Sequence, residues 1–257
     1  MSEVSFDFRG KTVLITGGSS NIGRELVKAF ASAGANVAFT FNSNREAAQG
    51  IVTSLSPLGA EIKYYQLDQK SPESCHKLIQ DVFDVFGHVD WLINNSGNHG
   101  HTPTTEIDEN EWDTLLACNL KGVFFLSRDF AVRNTSAGGN GSIVNISSIN
   151  SFNPLANALH YSVSKAGINQ LTRNLAMEFG ESGIRVNAIA PGLIDTPDLE
   201  KYCPGWKARY ENRSALHMVG SGRDIADLAL FLVSDRASWI TGQVIIADGG
   251  VTLAPAY

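Results

Sequence analysis

Tyr161 and Lys165 stand four residues apart in a stretch where Ile168, Leu171, Leu175 and Phe179 recur at helical spacing. That pattern predicts a helix over residues 161–182 with the phenol and the ammonium on one face. A free tyrosine ionises at a pH of about 10, too high for efficient proton transfer near neutrality. A neighbouring ammonium stabilises the phenolate and lowers that value, so such a pair can exchange a proton with a substrate oxygen. Taken alone, the spacing favours an exposed Tyr and Lys that share a face by chance, since the pattern is common. Ser148 follows a β-rich run, residues 142–147, and so stands at the C-terminal edge of a strand, where open α/β sheets bind ligands. Its hydroxyl can hydrogen-bond a substrate oxygen. No His/Cys/Asp cluster has metal-ligand spacing, and we expect no metal.

The elements that must position these groups are legible as an alternation. Short runs at residues 12–16, 37–41, 62–67, 91–94, 142–147, 184–189 and 243–247 are mostly apolar, as in strands buried on both faces of a parallel sheet. Amphipathic stretches separate them. Leu116, Leu120, Phe124 and Phe130 predict a helix over residues 109–133. The expectation is an α/β chain with a seven-stranded, doubly wound parallel sheet, helices on both faces, and one domain over residues 1–257. Gly138-Gly139-Asn140-Gly141 reads as a turn before a strand. Residues 191–222, with Pro191, Pro197 and Pro204 and no clear period, read as a long functional loop.

The first strand runs into Thr16-Gly17-Gly18-Ser19-Ser20-Asn21-Ile22-Gly23, and a helix with Leu26, Phe30 and Ala33 on one face follows. Glycines let a backbone approach a pyrophosphate, and a helix N-terminus offers free N–H groups and partial positive charge. By itself this turn is also compatible with an ordinary glycine-rich loop.

The glycine turn, Asn94-Asn95-Ser96-Gly97, Ser148, Tyr161-x-x-x-Lys165 and Pro191-Gly192 come in an order and spacing that resemble the short-chain dehydrogenase/reductase family, over residues 10–250. The resemblance implies a single-domain Rossmann fold, a dimer or tetramer, and hydride transfer between a nicotinamide cofactor and a carbonyl or secondary alcohol. Residue by residue, it implies that Tyr161 is the acid/base. Ser148, thirteen residues before it, becomes the substrate-orienting serine in preference to Ser147. Lys165 also holds the nicotinamide ribose. Asn119 is the implied fourth member, holding a water that links Lys165 to solvent; a polar residue capping a helix bend is a compatible reading. The implied cofactor contacts are Gly17, Ser19, Ser20, Asn21, Ile22 and Gly23 in the turn, Asn95, Ser96 and Gly97 after the fourth strand, and Pro191, Gly192, Ile194 and Thr196 after the sixth. Asp68, with Gln69 beside it, matches the adenine contact, with a turn-forming Asp as the competing reading. The family usually has Gly at Asn21; Asn tolerates left-handed backbone better than other side chains do. Ser96 replaces the commoner Ala.

Cofactor choice should be decided after the second strand, where a carboxylate would hold a ribose 2′-hydroxyl and repel a 2′-phosphate. The residues there are Phe41-Asn42-Ser43-Asn44-Arg45, with donors and a cation but no carboxylate. This favours NADP over NAD, although Ser20 stands where NADP-preferring relatives often carry Arg. For the substrate, Asn150, Tyr202 and Trp206 are the expected pocket residues, with Phe152, Asn153, Leu199 and Tyr210 nearby and His99, His101 and His160 as pocket or packing residues. The pocket reads as apolar with a few polar anchors beneath a lid over 191–222. A free small or medium carbonyl or secondary alcohol is favoured. The alternative is a 3-oxoacyl-[acyl carrier protein] reductase, but Gly139 and Ser182 stand where such enzymes carry basic residues, with Arg133 not far away. A cofactor-binding regulator without activity is disfavoured by the intact Ser148, Tyr161 and Lys165.

The net charge of −6 disfavours a phosphate-gripping nucleic-acid binder. No window reaches the roughly 18 apolar residues of a membrane span, and residues 1–10 do not resemble a signal peptide. Cys75, Cys118 and Cys203 form no close pair, as in a reducing compartment. A cytoplasmic protein with a small-molecule substrate is expected. Adjacent Phe124 and Phe125 cannot both enter one core, and Met177 lies off its helix's stripe. These spare apolar positions and the apolar tail 251–257 predict a homotetramer.

Overall fold

The computed structural model describes residues 5–19 and 21–253; residues 1–4, Ser20, residues 254–257 and the side chain of Tyr202 lie outside the described set. Strands β1 (Thr12–Ile15), β2 (Asn36–Phe41), β3 (Ile62–Gln66), β4 (Trp91–Asn94), β5 (Gly141–Ile146), β6 (Ile184–Pro191) and β7 (Val244–Ala247) form one parallel sheet in the order β3-β2-β1-β4-β5-β6-β7. The inner strands β1, β2, β4, β5 and β6 are mostly buried because both faces are covered, whereas the edge strands β3 and β7 are only partly buried. Val13, Ile15 and Phe39 pack with α1 (Asn21–Ser32), α2 (Arg45–Leu55) and α9 (Gly222–Val233). Leu14, Leu92 and Ile143 pack with α3 (Pro72–Phe86), α5 (Gly122–Ser136) and α6 (Leu159–Phe179) on the other face. The strand order reverses between β1 and β4, which opens a crevice at the C-terminal ends of the strands. The loops after β1, β4, β5 and β6 therefore converge there.

Two expected helices differ in detail. The stretch 109–133 is not one α-helix: α4 (Glu109–Leu116) passes through a π-helical turn, Ala117–Lys121, into α5. The wider turn takes up an extra residue and aims Asn119 inward. Its exit also needs glycine, because a Cβ at Gly122 would stand 2.2 Å from the Gln69 carbonyl oxygen. The helix expected over 161–182 starts two residues earlier and ends at Phe179, followed by a 3₁₀ turn that Gly183 stops in a left-handed conformation (φ 73°). Residues 191–222 hold two short helices, α7 (Leu199–Tyr202) and α8 (Trp206–Arg213), and their ends meet in a bridge between Ile194 and Gly220.

A buried polar ladder fixes α6 on the sheet. Asn94 on β4 donates to Asn145 Oδ1 on β5 (2.8 Å) and to Ser127 Oγ (3.0 Å), and Asn145 donates to Thr172 Oγ1 on α6 (2.9 Å). A buried amide that loses its partner costs more than the bond gained in making it. Asn145→Ala is therefore expected to lose about 1–3 kcal/mol in urea unfolding; an unchanged midpoint would show that the ladder does not hold α6.

Candidate active site

The glycine turn after β1 is shaped by the hydroxyls of Thr16 and Thr40. Thr40 Oγ1 accepts the Gly17 N–H (3.0 Å), while Thr16 Oγ1 accepts the N–H groups of Asn95 and Ser96 (3.0 and 2.9 Å). The Asn95 amide in turn donates to the carbonyls of Thr16 and Gly17 (2.9 and 3.2 Å). The loops after β1 and β4 are thus one braced unit. Gly17 has φ +66°, and a Cβ at Gly23 would stand 2.1 Å from the Gly17 oxygen, so both positions need glycine. Asn21 takes φ 47°, the left-handed conformation that asparagine tolerates. Ile22 packs on the core, and no acidic side chain stands in the first turn of α1. A positively polarised helix end behind a turn this tight fits a diphosphate. At the end of β2, Asn42 and Ser43 are exposed, Asn44 caps α2 by accepting the Ala47 N–H (2.9 Å), and the Arg45 guanidinium lies over Tyr64 (5.7 Å). The Asp68 carboxylate accepts the Lys70 N–H (3.1 Å), closing its own turn. Gln69 is buried and donates to the carbonyls of Cys118 (2.7 Å) and Ser96 (3.2 Å), a brace between the π turn and the loop after β4.

Ser148, Tyr161 and Lys165 come together where β5 ends against α6. All three are at least nine-tenths buried. The Lys165 ammonium donates to the Ile146 carbonyl (2.8 Å) and lies 5.7 Å from the Tyr161 ring centroid. The Ser148 hydroxyl accepts the Asn150 N–H (3.1 Å) and hydrogen-bonds the Tyr161 phenol. Asn119 is held by a reciprocal pair with Asn98: its Oδ1 accepts the Asn98 N–H (2.7 Å) and its Nδ2 donates to the Asn98 carbonyl (2.8 Å). A Cβ at Gly97 would come 3.6 Å from Lys165 Nζ and 3.3 Å from Asn119 Oδ1, so glycine keeps the space above the ammonium open. That opening leaves room for part of a bound dinucleotide beside the ammonium. After β6, Pro191 pairs with Ala247 and the Gly192 N–H donates to the Ala247 carbonyl (2.9 Å). Ile194 and Thr196 are half-buried at the start of the 191–222 segment, and Asn150 and Trp206 are half-buried as well.

Residues 17–252 match the family model described as enoyl-(acyl carrier protein) reductase. The chain is 35% identical to 3beta-hydroxysteroid dehydrogenase 1 of Eggerthella lenta over 253 residues, 98% of this chain and 97% of that one. It is 34% identical to the 3-oxoacyl-[acyl-carrier-protein] reductase of Thermotoga maritima, over 95% of this chain and 98% of that protein. The chain belongs to the short-chain dehydrogenase/reductase family. A solved 7α-hydroxysteroid dehydrogenase, complexed with NADH and 7-oxo glycochenodeoxycholic acid, superposes with a TM-score of 0.91 at 33% identity, covering 97% of each chain. As a member of this family the protein is an NAD(P)-dependent oxidoreductase that moves a hydride between nicotinamide and a CH–OH or carbonyl carbon.

The family pattern gave no role to His99. Its ring lies tilted by 30° against Tyr161, with centroids 4.8 Å apart, and dehydration and then the Lys165 charge hold it below its usual pKa. His160 is fully buried and its Nε2 meets Glu111 Oε1 (3.1 Å), which the Thr102 hydroxyl also reaches (2.6 Å). Only short-range clues marked these two in the sequence, their nearness to Gly97 and Tyr161. No helix among the described residues is long and apolar enough to cross a membrane.

Burial is the strongest electrostatic force in the site. It lowers Lys165 from its ordinary 10.5 to about 8, and it raises Tyr161 above 10 against the pull of the Ser148 hydrogen bond. Between pH 8 and 10.5 the unfolded chain binds more protons at Lys165 than the native chain does, so this group makes stability rise with pH there. Below that window both states are charged and the native state bears the whole burial penalty. Lys165→Met is therefore expected to gain about 1–3 kcal/mol in urea unfolding near neutrality. The gain should shrink as the pH rises through 8. A variant less stable than the native protein at neutral pH would contradict this.

Proposed function

We propose that Tyr161 is the acid/base of the reaction, that Ser148 orients the substrate oxygen, and that Lys165 tunes the phenol and holds the nicotinamide ribose. The observation that carries this reading is the buried Ser148–Tyr161–Lys165 contact set at the end of β5. When bound, the nicotinamide cofactor supplies or takes up the hydride. In reduction, Ser148 donates a hydrogen bond to the substrate oxygen and Tyr161 gives it the phenolic proton; in oxidation, Tyr161 takes that proton back. Asn119 holds a water that links Lys165 to solvent, and the π turn that aims it inward supports this role. Gly17, Ser19, Ser20, Asn21, Ile22 and Gly23 bind the diphosphate, Asp68 the adenine, Asn95, Ser96 and Gly97 the middle of the dinucleotide, and Pro191, Gly192, Ile194 and Thr196 the carboxamide.

NADP is the preferred cofactor in this reading, because exposed Asn42 and Ser43 offer donors at the end of β2 with no carboxylate between them. The substrate is a free hydroxy or keto compound with an apolar body. Phe152 and Leu159 expose apolar surface; in this reading Asn150, Tyr202 and Trp206 line the pocket and residues 191–222 close over it, with the Lys207–Asp195 ion pair (2.6 Å) bracing that segment internally. Reduction of an acyl chain on acyl carrier protein is the weaker reading: Gly139 and Ser182 offer the acidic carrier no charge, and Arg133 is engaged with Asp84 (3.1 Å). The protein is a homotetramer. Leu116, Leu120, Phe124 and Leu171 line an open groove of about 1090 Å³ beside α4, α5 and α6, a face for one partner copy. Met177 and Trp239 add exposed apolar surface elsewhere. Its free thiols, with Cys75 pushed up to about 12 by burial, suit the reducing cytoplasm.

Tyr161→Phe is expected to cut turnover about 10²–10⁴-fold with little change in cofactor affinity; a near-normal rate would overturn the assignment. Fluorescence titration should find NADPH bound more tightly than NADH, with Asn42→Asp reversing the order. Tighter NADH binding by the native protein would overturn the cofactor reading. Light scattering should find a tetramer, and an active monomer would overturn that claim.

A further inference from the structure

Asn169 lies one helical turn beyond Lys165 and two beyond Tyr161, so it shares their face of α6. It is buried, and both ends of its amide are used. Its Oδ1 accepts the Ser147 hydroxyl (2.6 Å), and its Nδ2 donates to the Ser151 hydroxyl (2.8 Å). Ser147 is the residue before Ser148. Ser151 closes the 3₁₀ turn after it and returns a hydrogen bond from its own hydroxyl to the Ser148 carbonyl (2.5 Å). One side chain on the helix thus grips the chain on both sides of Ser148. An apolar residue at this position would leave buried Ser147 with only its longer bond to the Lys165 carbonyl (3.3 Å) and half-buried Ser151 without a donor, at a cost.

We propose that Asn169, acting through Ser147 and Ser151, is a positioning residue that sets the distance between the Ser148 hydroxyl and Tyr161. The helix that carries the phenol and the ammonium also carries the clamp that holds the serine, so movement of α6 on the sheet carries the whole constellation together. Ser151 is the more specific half of the clamp. Its hydroxyl links the helix amide to the carbonyl of Ser148, and this carbonyl belongs to the turn whose Asn150 N–H bonds Ser148 Oγ.

The Tyr161 phenol itself reports the distance. The hydrogen bond from Ser148 favours its ionised form and opposes the effect of burial. The ionisable groups facing Tyr161 are Lys165 on its own helix and His99 from the loop after β4, with Cys118 of the π turn behind Lys165. An Asn169→Leu change alters none of them. The protein is saturated with NADP⁺ or NAD⁺, whichever binds tighter, and Tyr161 is titrated by phenolate absorbance against a Tyr161→Phe background. Asn169→Leu is expected to move the titration up by about half a unit to one unit with cofactor affinity unchanged. Ser151→Ala should move it in the same direction, and Ser151→Thr, which keeps the hydroxyl, should restore it. A purely structural role would lower the unfolding midpoint and leave the titration where it was. An unshifted Tyr161 in folded Asn169→Leu, or in Ser151→Ala if the first variant does not fold, overturns the proposal.

Discussion

Burying the Lys165 ammonium beneath the Tyr161 ring is the constraint on which the rest of this site depends. A charge removed from water must be held by dipoles, and the main one here is the Ile146 carbonyl at the end of β5. One carbonyl uses only one of the three ammonium protons. The others face the space that Gly97 keeps clear and that Asn119 borders. Lysine is therefore fixed in position yet remains incompletely solvated. That condition brings its pKa toward neutrality.

Several local oddities follow from that requirement. The helix over 109–133 breaks into a π turn because Asn119 has to reach inward to the Asn98 backbone, beside the lysine. Gln69 is buried at the same junction, holding the π turn to the loop after β4. That loop is itself locked to the glycine turn by Thr16 and Asn95. A chain of short polar bonds therefore runs from the place where a diphosphate fits to the place where a proton is exchanged. Such preorganised contacts spare the reaction the work of arranging its own dipoles.

Much of this was legible in the sequence, for physical reasons. The strands were, because burial on both faces of a parallel sheet leaves mostly apolar runs; the expected limits agree with β1 through β7 to within a residue or two. Tyr161, Lys165 and Ser148 were visible through their resemblance to the family's motifs; helix period and strand end alone neither excluded a chance Tyr–Lys spacing nor chose Ser148 over Ser147. The left-handed Asn21 was anticipated from the tolerance of asparagine for that conformation. The π turn was not, since apolar period alone cannot tell a wide turn from a regular one. The bracing bonds of Thr16, Thr40 and Gln69 could not be read from the sequence because their partners are backbone atoms far away in it. Asp68 carried two readings, and its bond to the Lys70 N–H gives the turn-forming one a visible basis. His99 was only a residue close to a motif until the fold laid it on Tyr161.

If the buried lysine governs the site, its own ionisation is the most direct test. Lysine side chains labelled with ¹⁵N can be followed by NMR across pH, with Lys165→Met supplying the assignment. The Lys165 amine is expected to titrate at about 8 in the free protein, well below its ordinary 10.5. Titration at the ordinary value would mean that the ammonium is solvated, and that its burial does not govern the chemistry of Tyr161.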